Sequence, residues 1–243
     1  FSSITFGSSS ATGKITASAY TYSDYIRLYN YGANSGGIEF IGAFNTGSDH
    51  LTLYTTGTVT QGASGSISAA GLELLGTGAT YTLTNTGNTI TTLAGNTKIV
   101  SFAGNSGFAI GTVNTAGLTT SGNTTLSSTG TVTQSAAITA AGLELLGTNG
   151  IYTLTNTSNA ITTLAGNTGT ISFAEGSGFA IGTVNTIGLI TSGNTTFNVN
   201  GTVTQSNLLN VTGLELLGSN GTYTLTNASN AVTTLAGRSE EHT

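Results

Sequence analysis

One acidic residue recurs along this chain at a constant interval, as Glu73, Glu144 and Glu215. Pairs of carboxylates about 5–9.5 Å apart carry out glycoside hydrolysis. Consecutive glutamates here are 71 residues apart, and stacked copies of that length would place them roughly 14 Å apart. The spacing therefore predicts no acid–base pair. Each glutamate stands between leucines, which predicts an outward side chain on a solvated face or in a corner hydrogen bond.

A second candidate for chemistry is the pair Asp49-His50. Outside residues 238–243 His50 is the only histidine, and one His beside one Asp makes no catalytic triad. We expect the pair to be exposed at a turn. Asp24 and Asp49 are the only aspartates, whereas calcium-binding β-helix repeats need one Asp per turn. The chain has no Cys, which excludes disulfides and thiolate metal sites. We predict no catalytic, cofactor-binding or metal site, and no enzyme.

The recurring glutamate belongs to a nearly duplicated block of 71 residues. The hexapeptide Gly-Leu-Glu-Leu-Leu-Gly at 71–76 returns at 142–147 and at 213–218. Between residues 71–129 and 142–200, 43 of 59 positions are identical. Such copies are typical of stacked arrays, in which each unit buries its apolar face on its neighbours.

Strand-like runs with alternating residues fill each copy. Val100 and Phe102 share one parity, and the second copy keeps apolar residues there as Ile171 and Phe173. β-branched residues dominate and helix formers are scarce, which favours strands. We predict an all-β protein, a parallel β-helix (β-solenoid) with about three coils of roughly 24 residues in each repeat.

Glycine and amide residues punctuate these runs. The dipeptides that we expect at tight corners are Gly95-Asn96, Gly104-Asn105 and Gly122-Asn123. The amides at matched positions that could add hydrogen bonds in corners are Asn85, Asn156 and Asn227, with Gln61, Gln134 and Gln205.

The repeats divide the chain into five parts. We assign residues 1–56 to divergent β-helix coils, 57–129 to repeat 1, 130–200 to repeat 2 and 201–237 to a partial repeat 3. Residues 238–243 break the register and resemble a translated sequencing-adapter oligonucleotide. We therefore expect them to be an artefact and set them aside.

Composition excludes several classes of partner. The net charge is −5 with only four Lys and Arg, which does not suit a nucleic-acid binder. No apolar run approaches the roughly 20 residues of a membrane-spanning helix, so we expect no membrane insertion. The chain also has no Met, from which we expect an internal fragment of a longer protein.

Two outward-facing features suggest binding. Tyrosines concentrate in the divergent coils, where they either pack across strands and in the core or form a platform for sugars; they are Tyr20, Tyr22, Tyr25, Tyr29 and Tyr31. Thr-x-Thr pairs recur at Thr82/Thr84 and Thr131/Thr133. A flat ladder of such pairs binds ice only if it occupies nearly every coil, and here the pairs are intermittent.

The repeat resembles a known family. The run Gly-Leu-Glu-Leu-Leu-Gly, Tyr-Thr-Leu-Thr-Asn, Thr-Thr-Leu-Ala-Gly, Gly-Phe-Ala-Ile-Gly-Thr-Val-Asn-Thr and Gly-Thr-Val-Thr-Gln is similar to filamentous haemagglutinin-type repeats across residues 57–237. Those repeats belong to large exoproteins of Gram-negative bacteria. The resemblance implies a right-handed β-helical shaft, export through an outer-membrane transporter by two-partner secretion, location outside the cell or at its surface, and adhesion or biofilm formation.

These observations lead to one expectation and several alternatives. We expect a structural shaft segment of a large secreted or surface-exposed bacterial adhesin, with no cofactor and no catalysis. Its partners would be the outer-membrane transporter during export and surface glycans or proteins of a host or of bacteria. The alternatives are a glycan-binding module, a phage tail-fibre or polysaccharide-active β-helix, and an ice-binding surface.

Overall fold

The computed structural model describes residues 3–237, and the regular structure there is entirely β-strand. Residues 238–243, which we set aside as an artefact, lie outside the described part. The first strands are β1 Ile4–Ser8, β2 Ile15–Ala17, β3 Tyr20–Thr21, β4 Ile26–Asn30, β5 Ile38–Phe40, β6 Phe44–Asn45, β7 His50–Thr55 and β8 Thr58–Gln61. The middle strands are β9 Ile67–Leu83, β10 Thr89–Gly104, β11 Phe108–Ile110, β12 Leu118–Thr120, β13 Asn123–Ser128, β14 Thr131–Gln134, β15 Ile138–Leu154 and β16 Ala160–Glu175. The last strands are β17 Ala180–Ile181, β18 Leu189–Val199, β19 Thr202–Gln205, β20 Leu209–Leu217, β21 Thr222–Tyr223 and β22 Ala231–Gly237.

These strands pair in parallel with strands one turn away along the chain. In one ladder Leu51 is the partner of Leu72, and Leu72 is the partner of Leu93. The whole chain forms about 11 turns of about 21 residues each, a right-handed parallel β-helix. The all-β prediction and the β-helix prediction are confirmed. The turn is shorter than the roughly 24 residues that we expected.

The core is a continuous column of stacked apolar side chains. Leu51, Leu72 and Leu93 lie one above another and are fully buried. The pair Val100 and Phe102 is also buried, as its alternation predicted. In this ladder each leucine covers the apolar side chain of the turn below. Each buried leucine then contributes roughly 2 kcal/mol of hydrophobic stabilisation.

Successive repeats do not stack directly on one another. Leu143 of the second copy pairs with Thr124, which pairs with Val100, which pairs with Tyr81. The second hexapeptide therefore lies above the Tyr-Thr-Leu side of the first copy and not above residues 71–76. A repeat of 71 residues contains about 3.4 turns of about 21 residues. Because this is not a whole number of turns, equivalent residues of successive copies lie on adjacent sides of the β-helix.

Only some of the predicted corner glycines lie at corners. Gly104-Asn105 and Gly122-Asn123 lie at strand ends, but Gly95-Asn96 lies inside β10. That prediction was wrong. Gly95 is glycine because a Cβ there would be 2.3 Å from the carbonyl oxygen of Leu74. Inside β9 the backbone has a positive φ of +122° at Gly76, and its equivalents Gly147 and Gly218 both have a φ of +120°.

Candidate functional site

The recurrent glutamates point outward from their strands; Glu73 and Glu144 are buried, whereas Glu215 is exposed. Glu73 is 2 % exposed and Glu144 is 1 % exposed. The expectation of a solvated face was wrong for both. Each carboxylate is hydrogen-bonded, as the alternative of a corner hydrogen bond expected, but the donors of those bonds include a covering loop. Alternation along the strand sets the direction of each side chain, whereas its burial comes from a segment much later in the chain.

A loop of seven residues at 111–117 covers Glu73. It leaves the helix after β11 and returns at β12, and an antiparallel bridge between Thr112 and Ala116 holds its two arms together. The amide of Gly117 also donates to the carbonyl of Gly111 over 2.8 Å. The loop is therefore a small closed hairpin that folds back along the outer face of the turns before it.

The tip of this loop holds the Glu73 carboxylate. Asn114 donates from Nδ2 to Oε2 over 2.8 Å, and Thr115 donates to Oε1 from its amide over 2.7 Å and from its hydroxyl over 2.8 Å. From the strand below, Thr52 donates its hydroxyl to Oε2 over 2.7 Å. Four donors on two oxygens satisfy this buried anion well.

The second copy repeats the arrangement with the same residue types. Asn185 donates from its side chain to Glu144 Oε2 over 2.7 Å and from its amide to Oε1 over 3.2 Å. The amide of Thr186 also donates to Oε1. Thr125, on the strand below, donates to Oε2 over 2.8 Å. We call each set of a glutamate, the threonine below it and the Asn-Thr loop above it a clasp.

The hydrogen bonds of the clasp decide its charge state. Burial alone would raise the pKa of the Glu73 carboxyl, but the donors Asn114, Thr52 and Thr115 outweigh it and lower that pKa below its ordinary value. The pKa of Glu144 is lowered in the same way, by donors that outweigh its burial. Both carboxylates are therefore ionised acceptors at neutral pH.

Small residues make room for the loop. A Cβ added to Gly71 would be 3.0 Å from Cγ2 of Val113, and one added to Gly142 would be 2.9 Å from Cγ2 of Val184. Ala94, the ladder partner of Glu73, is fully buried. The glycine of the hexapeptide therefore leaves room for the valine of the loop.

A second polar network fills one corner of each repeat, as the amide positions predicted. Gln61 accepts from the amide of Asn85 over 3.1 Å and donates to Asn88 over 2.7 Å. Asn88 is fully buried and donates to the carbonyls of Leu83 and Ala103. We did not predict Asn88, although its recurrence as Asn159 and Asn230 in matched positions was a usable signal; these form the same bond with Gln134 and Gln205.

Asp49 and His50 do not form an exposed turn pair. His50 begins β7 and is half-buried, with its ring edge-on to Tyr25 at 5.9 Å between centroids. Tyr25 itself accepts from Asn114 and shares a hydrogen bond with Thr52. The prediction of an exposed pair was wrong, since the ladder places His50 directly beneath Gly71.

The tyrosines of the divergent coils form two outer patches. Tyr29 is the ladder partner of Tyr54, and Tyr31 lies 4.1 Å from Tyr54 between ring centroids. Tyr20 and Tyr22 pack 4.3 Å apart at the start of the helix. Packing across strands is thus confirmed for Tyr29, but none of the five predicted tyrosines is fully buried in the core.

One buried carboxyl has no such network. Glu175 stands where the first copy has Gly104 and is 1 % exposed. Its Oε1 accepts from the Ser177 hydroxyl over 2.9 Å, whereas its Oε2 is buried without a hydrogen-bond partner. Burial raises the pKa of Glu175 to about 7, against the opposing effect of Ser177. The group is therefore a source of pH sensitivity.

The Thr-x-Thr pairs do not build a ladder. Thr82 lies between Thr60 and Ser101, but Thr131 pairs with Ile151 and Thr133 pairs with Ala109. Thr58 and Thr60 do stack on Thr80 and Thr82, but the next turn has Ile99 and Ser101 at these positions. This register does not supply the regular threonine array that ice binding needs.

The geometry provides fixed hydrogen-bonded carboxylates. Among residues 3–237, no group of three or more His, Cys, Asp or Glu could hold a metal ion. In the same range, no helix is long and apolar enough to cross a membrane. In comparisons with protein-family models, with curated proteins and with solved structures, nothing matches the chain. In the clasps and in the Gln-Asn corner networks, sequence repetition and side-chain chemistry coincide.

Proposed function

We propose that this chain is a structural shaft segment of a large secreted or surface-exposed bacterial adhesin, and that its role is to extend and stiffen the molecule. It carries no catalysis of its own in this proposal. Binding would belong to other parts of the adhesin, and an outer-membrane transporter would be its partner during export.

The observation that carries the proposal is that the clasps tie each repeat together along the axis. Ladder hydrogen bonds and core stacking join each turn only to its nearest neighbours. The Asn114 side chain instead reaches Glu73 two turns earlier, and Asn185 reaches Glu144 in the same way. Contacts that span three turns resist bending and local opening, which are the failures that a long shaft must avoid.

The size of the repeat supports a role in reach. Strands stack about 4.8 Å apart, and each repeat contains about 3.4 turns. One repeat therefore lengthens the rod by roughly 16 Å. Addition of near-identical copies extends the protein without a new fold or a new core.

Small-angle scattering tests the mechanical part of the proposal. A variant in which residues 142–212 are duplicated in tandem should be longer than the parent by roughly 16 Å, with the same cross-sectional radius. A matched control inserts a flexible Gly-Ser segment of the same length at the same point. An increase in cross-section, or the same profile for both insertions, would contradict a rod that grows by repeats.

Sequencing outward from the coding locus tests the adhesin part. We expect further 71-residue copies in frame and a neighbouring gene for an outer-membrane transporter of the two-partner type. A frame that closes beside phage structural genes would instead favour a tail fibre, and release of product from a panel of polysaccharides would favour a polysaccharide-active enzyme.

A glycan-binding module is the second candidate, and the patch of Tyr29, Tyr31 and Tyr54 favours it. Half-exposed aromatic rings stack on sugars. A glycan array should then give a signal that Tyr31→Ala abolishes and that Tyr20→Ala, in the other aromatic patch, leaves intact. Equal signals from both variants would assign any binding to another surface.

A further inference from the structure

One cation of the divergent coils has no acidic partner. Arg27 lies in β4, half-buried on the outer face, between Thr5 of the turn below and Thr52 of the turn above. Its Nε is buried and has no hydrogen-bond partner. Within residues 3–237 the ion pair is that of Lys14 with Glu39, so no carboxylate of this range pairs with Arg27. A buried donor without an acceptor costs free energy, which an acceptor from outside the chain can offset.

Two neighbours hold the guanidinium in place. Its Cζ lies 5.9 Å from the ring centroid of Tyr25, within the range of a cation–π interaction. The Tyr25 hydroxyl in turn accepts from Asn114 of the first clasp and shares a hydrogen bond with Thr52. Because this ring is anchored, Arg27 rests on a fixed support. A charged group that is already positioned loses less conformational entropy when it binds.

Aromatic rings adjoin Arg27 on the same outer face. Tyr29 follows two residues later in β4, which places its Cα roughly 7 Å from that of Arg27 on the same side of the sheet. The Tyr29 ring is edge-on to Tyr54 with 4.8 Å between centroids, and both rings are half-buried. The turn that carries Arg27 and Tyr29 is paired with β1 below and with β7 above. The face therefore lies on the side of the β-helix, with a turn on each flank.

From this arrangement we infer that the face formed by Arg27, Tyr29 and Tyr54 binds a sugar residue that carries a carboxylate, a hexuronic acid. The pyranose ring packs on the tyrosine rings, and the carboxylate accepts two hydrogen bonds from the planar guanidinium fork. An anionic sugar also complements the charge of a cation that has no partner of its own. The inference rests on the second candidate function, the glycan-binding module, and names the class of sugar that it takes.

The test is an NMR titration of the full chain with methyl β-D-glucuronide, with methyl β-D-glucoside and with acetate. With the glucuronide at up to about 10 mM, we expect saturable shifts of the Arg27, Tyr29 and Tyr54 amides. The glucoside should bind about tenfold more weakly or less, because it lacks the bonds to a charged group. Acetate, which has no ring to stack, should give no saturable shift.

Protein variants assign the effect to the guanidinium. Arg27→Gln should weaken glucuronide binding about tenfold or more and leave glucoside binding unchanged. Arg27→Lys should also weaken it, since an ammonium keeps the charge without the fork. Lys14→Gln, which removes a cation already paired with Glu39, should leave binding unchanged. Unaltered amide shifts away from each substitution would show that the variants fold.

The outcomes separate this inference from the proposals on which it builds. Equal binding of glucuronide and glucoside, or full glucuronide binding by Arg27→Gln, would overturn the acidic-sugar inference and leave a glycan-binding module standing. Saturable binding of acetate at the same residues would also overturn it, because the site would then recognise small anions. Absence of shifts with all three probes would overturn it as well, while the glycan array still judges the module. None of these results bears on the rod length by which the shaft proposal is judged.

Discussion

Asn185 donates a hydrogen bond from its side chain to Glu144 over 2.7 Å, although 41 residues separate them in the chain. The intervening chain makes two turns of the helix, so this bond joins a turn to the next but one. Asn114 and Glu73 have the same relationship. Each repeat is therefore held together by side-chain hydrogen bonds across two turns, in addition to the ladder hydrogen bonds between adjacent turns.

We predict that Glu144→Gln lowers the free energy of unfolding by about 2 kcal/mol, because an ionised acceptor with four donors is replaced by an amide that turns an NH₂ group toward donors. The matched control is Glu215→Gln, at the same repeat position without a loop, which should change stability little. Urea unfolding followed by circular dichroism at pH 7 measures both variants. Equal midpoints for the two would contradict a stabilising role for the clasp.

Acid should weaken the clasps. The pKa values of Glu73 and Glu144 are lowered below 4.5 in the folded protein. Their contribution is therefore fully present above about pH 4.5 and is lost as the pH falls through the folded-state values. We expect the urea midpoint to fall between pH 5 and pH 2. In a chain with both Glu73→Gln and Glu144→Gln the fall should be smaller, and an identical fall would assign acid sensitivity to other groups.

A rise in pH from about 4.5 to 7 should weaken the fold through Glu175. Burial raises its pKa from 4.5 to about 7, so its contribution is fully present below about pH 4.5 and is lost as the pH rises through about 7. The loss is at most about 3 kcal/mol. Glu175→Gln should be more stable than the parent at pH 8 and nearly equal at pH 4. Thermal melts at the two pH values measure this, and a pH-independent difference would contradict it.

Gly147→Ala should destabilise the helix by roughly 3 kcal/mol. Its φ is +120°, and an added Cβ would be 2.0 Å from the carbonyl oxygen of Ser128. Gly13→Ala is the control, because a Cβ there meets nothing within 4 Å. The melting temperatures of the two variants and of the parent measure the difference. A similar small shift in both variants would show that the backbone at Gly147 adjusts without cost.

The sequence was sufficient for the side-chain direction of the core pairs to which parity was applied. Val100, Phe102 and their equivalents were assigned inward from parity alone, because side chains alternate with a period of two along a strand. The corner role of Gln61 and Asn85 followed from their recurrence. By contrast, the corner assigned to Gly95 failed, because glycine serves close strand packing as well as turns and the local sequence does not distinguish the two uses.

The amino-acid sequence by itself determined the repeat, the β-strand class and the stacked architecture, since these follow from periodicities within and between copies. Only the tertiary structure decided how the copies are phased and which polar groups are buried. Equivalent residues of successive copies lie on different sides of the β-helix because the 71-residue repeat is not a whole number of turns of about 21 residues. The length of a turn is set by its corners and loops. Glu73 is buried because a loop 41 residues later folds back over it, and no alternation around a glutamate encodes a contact across two turns.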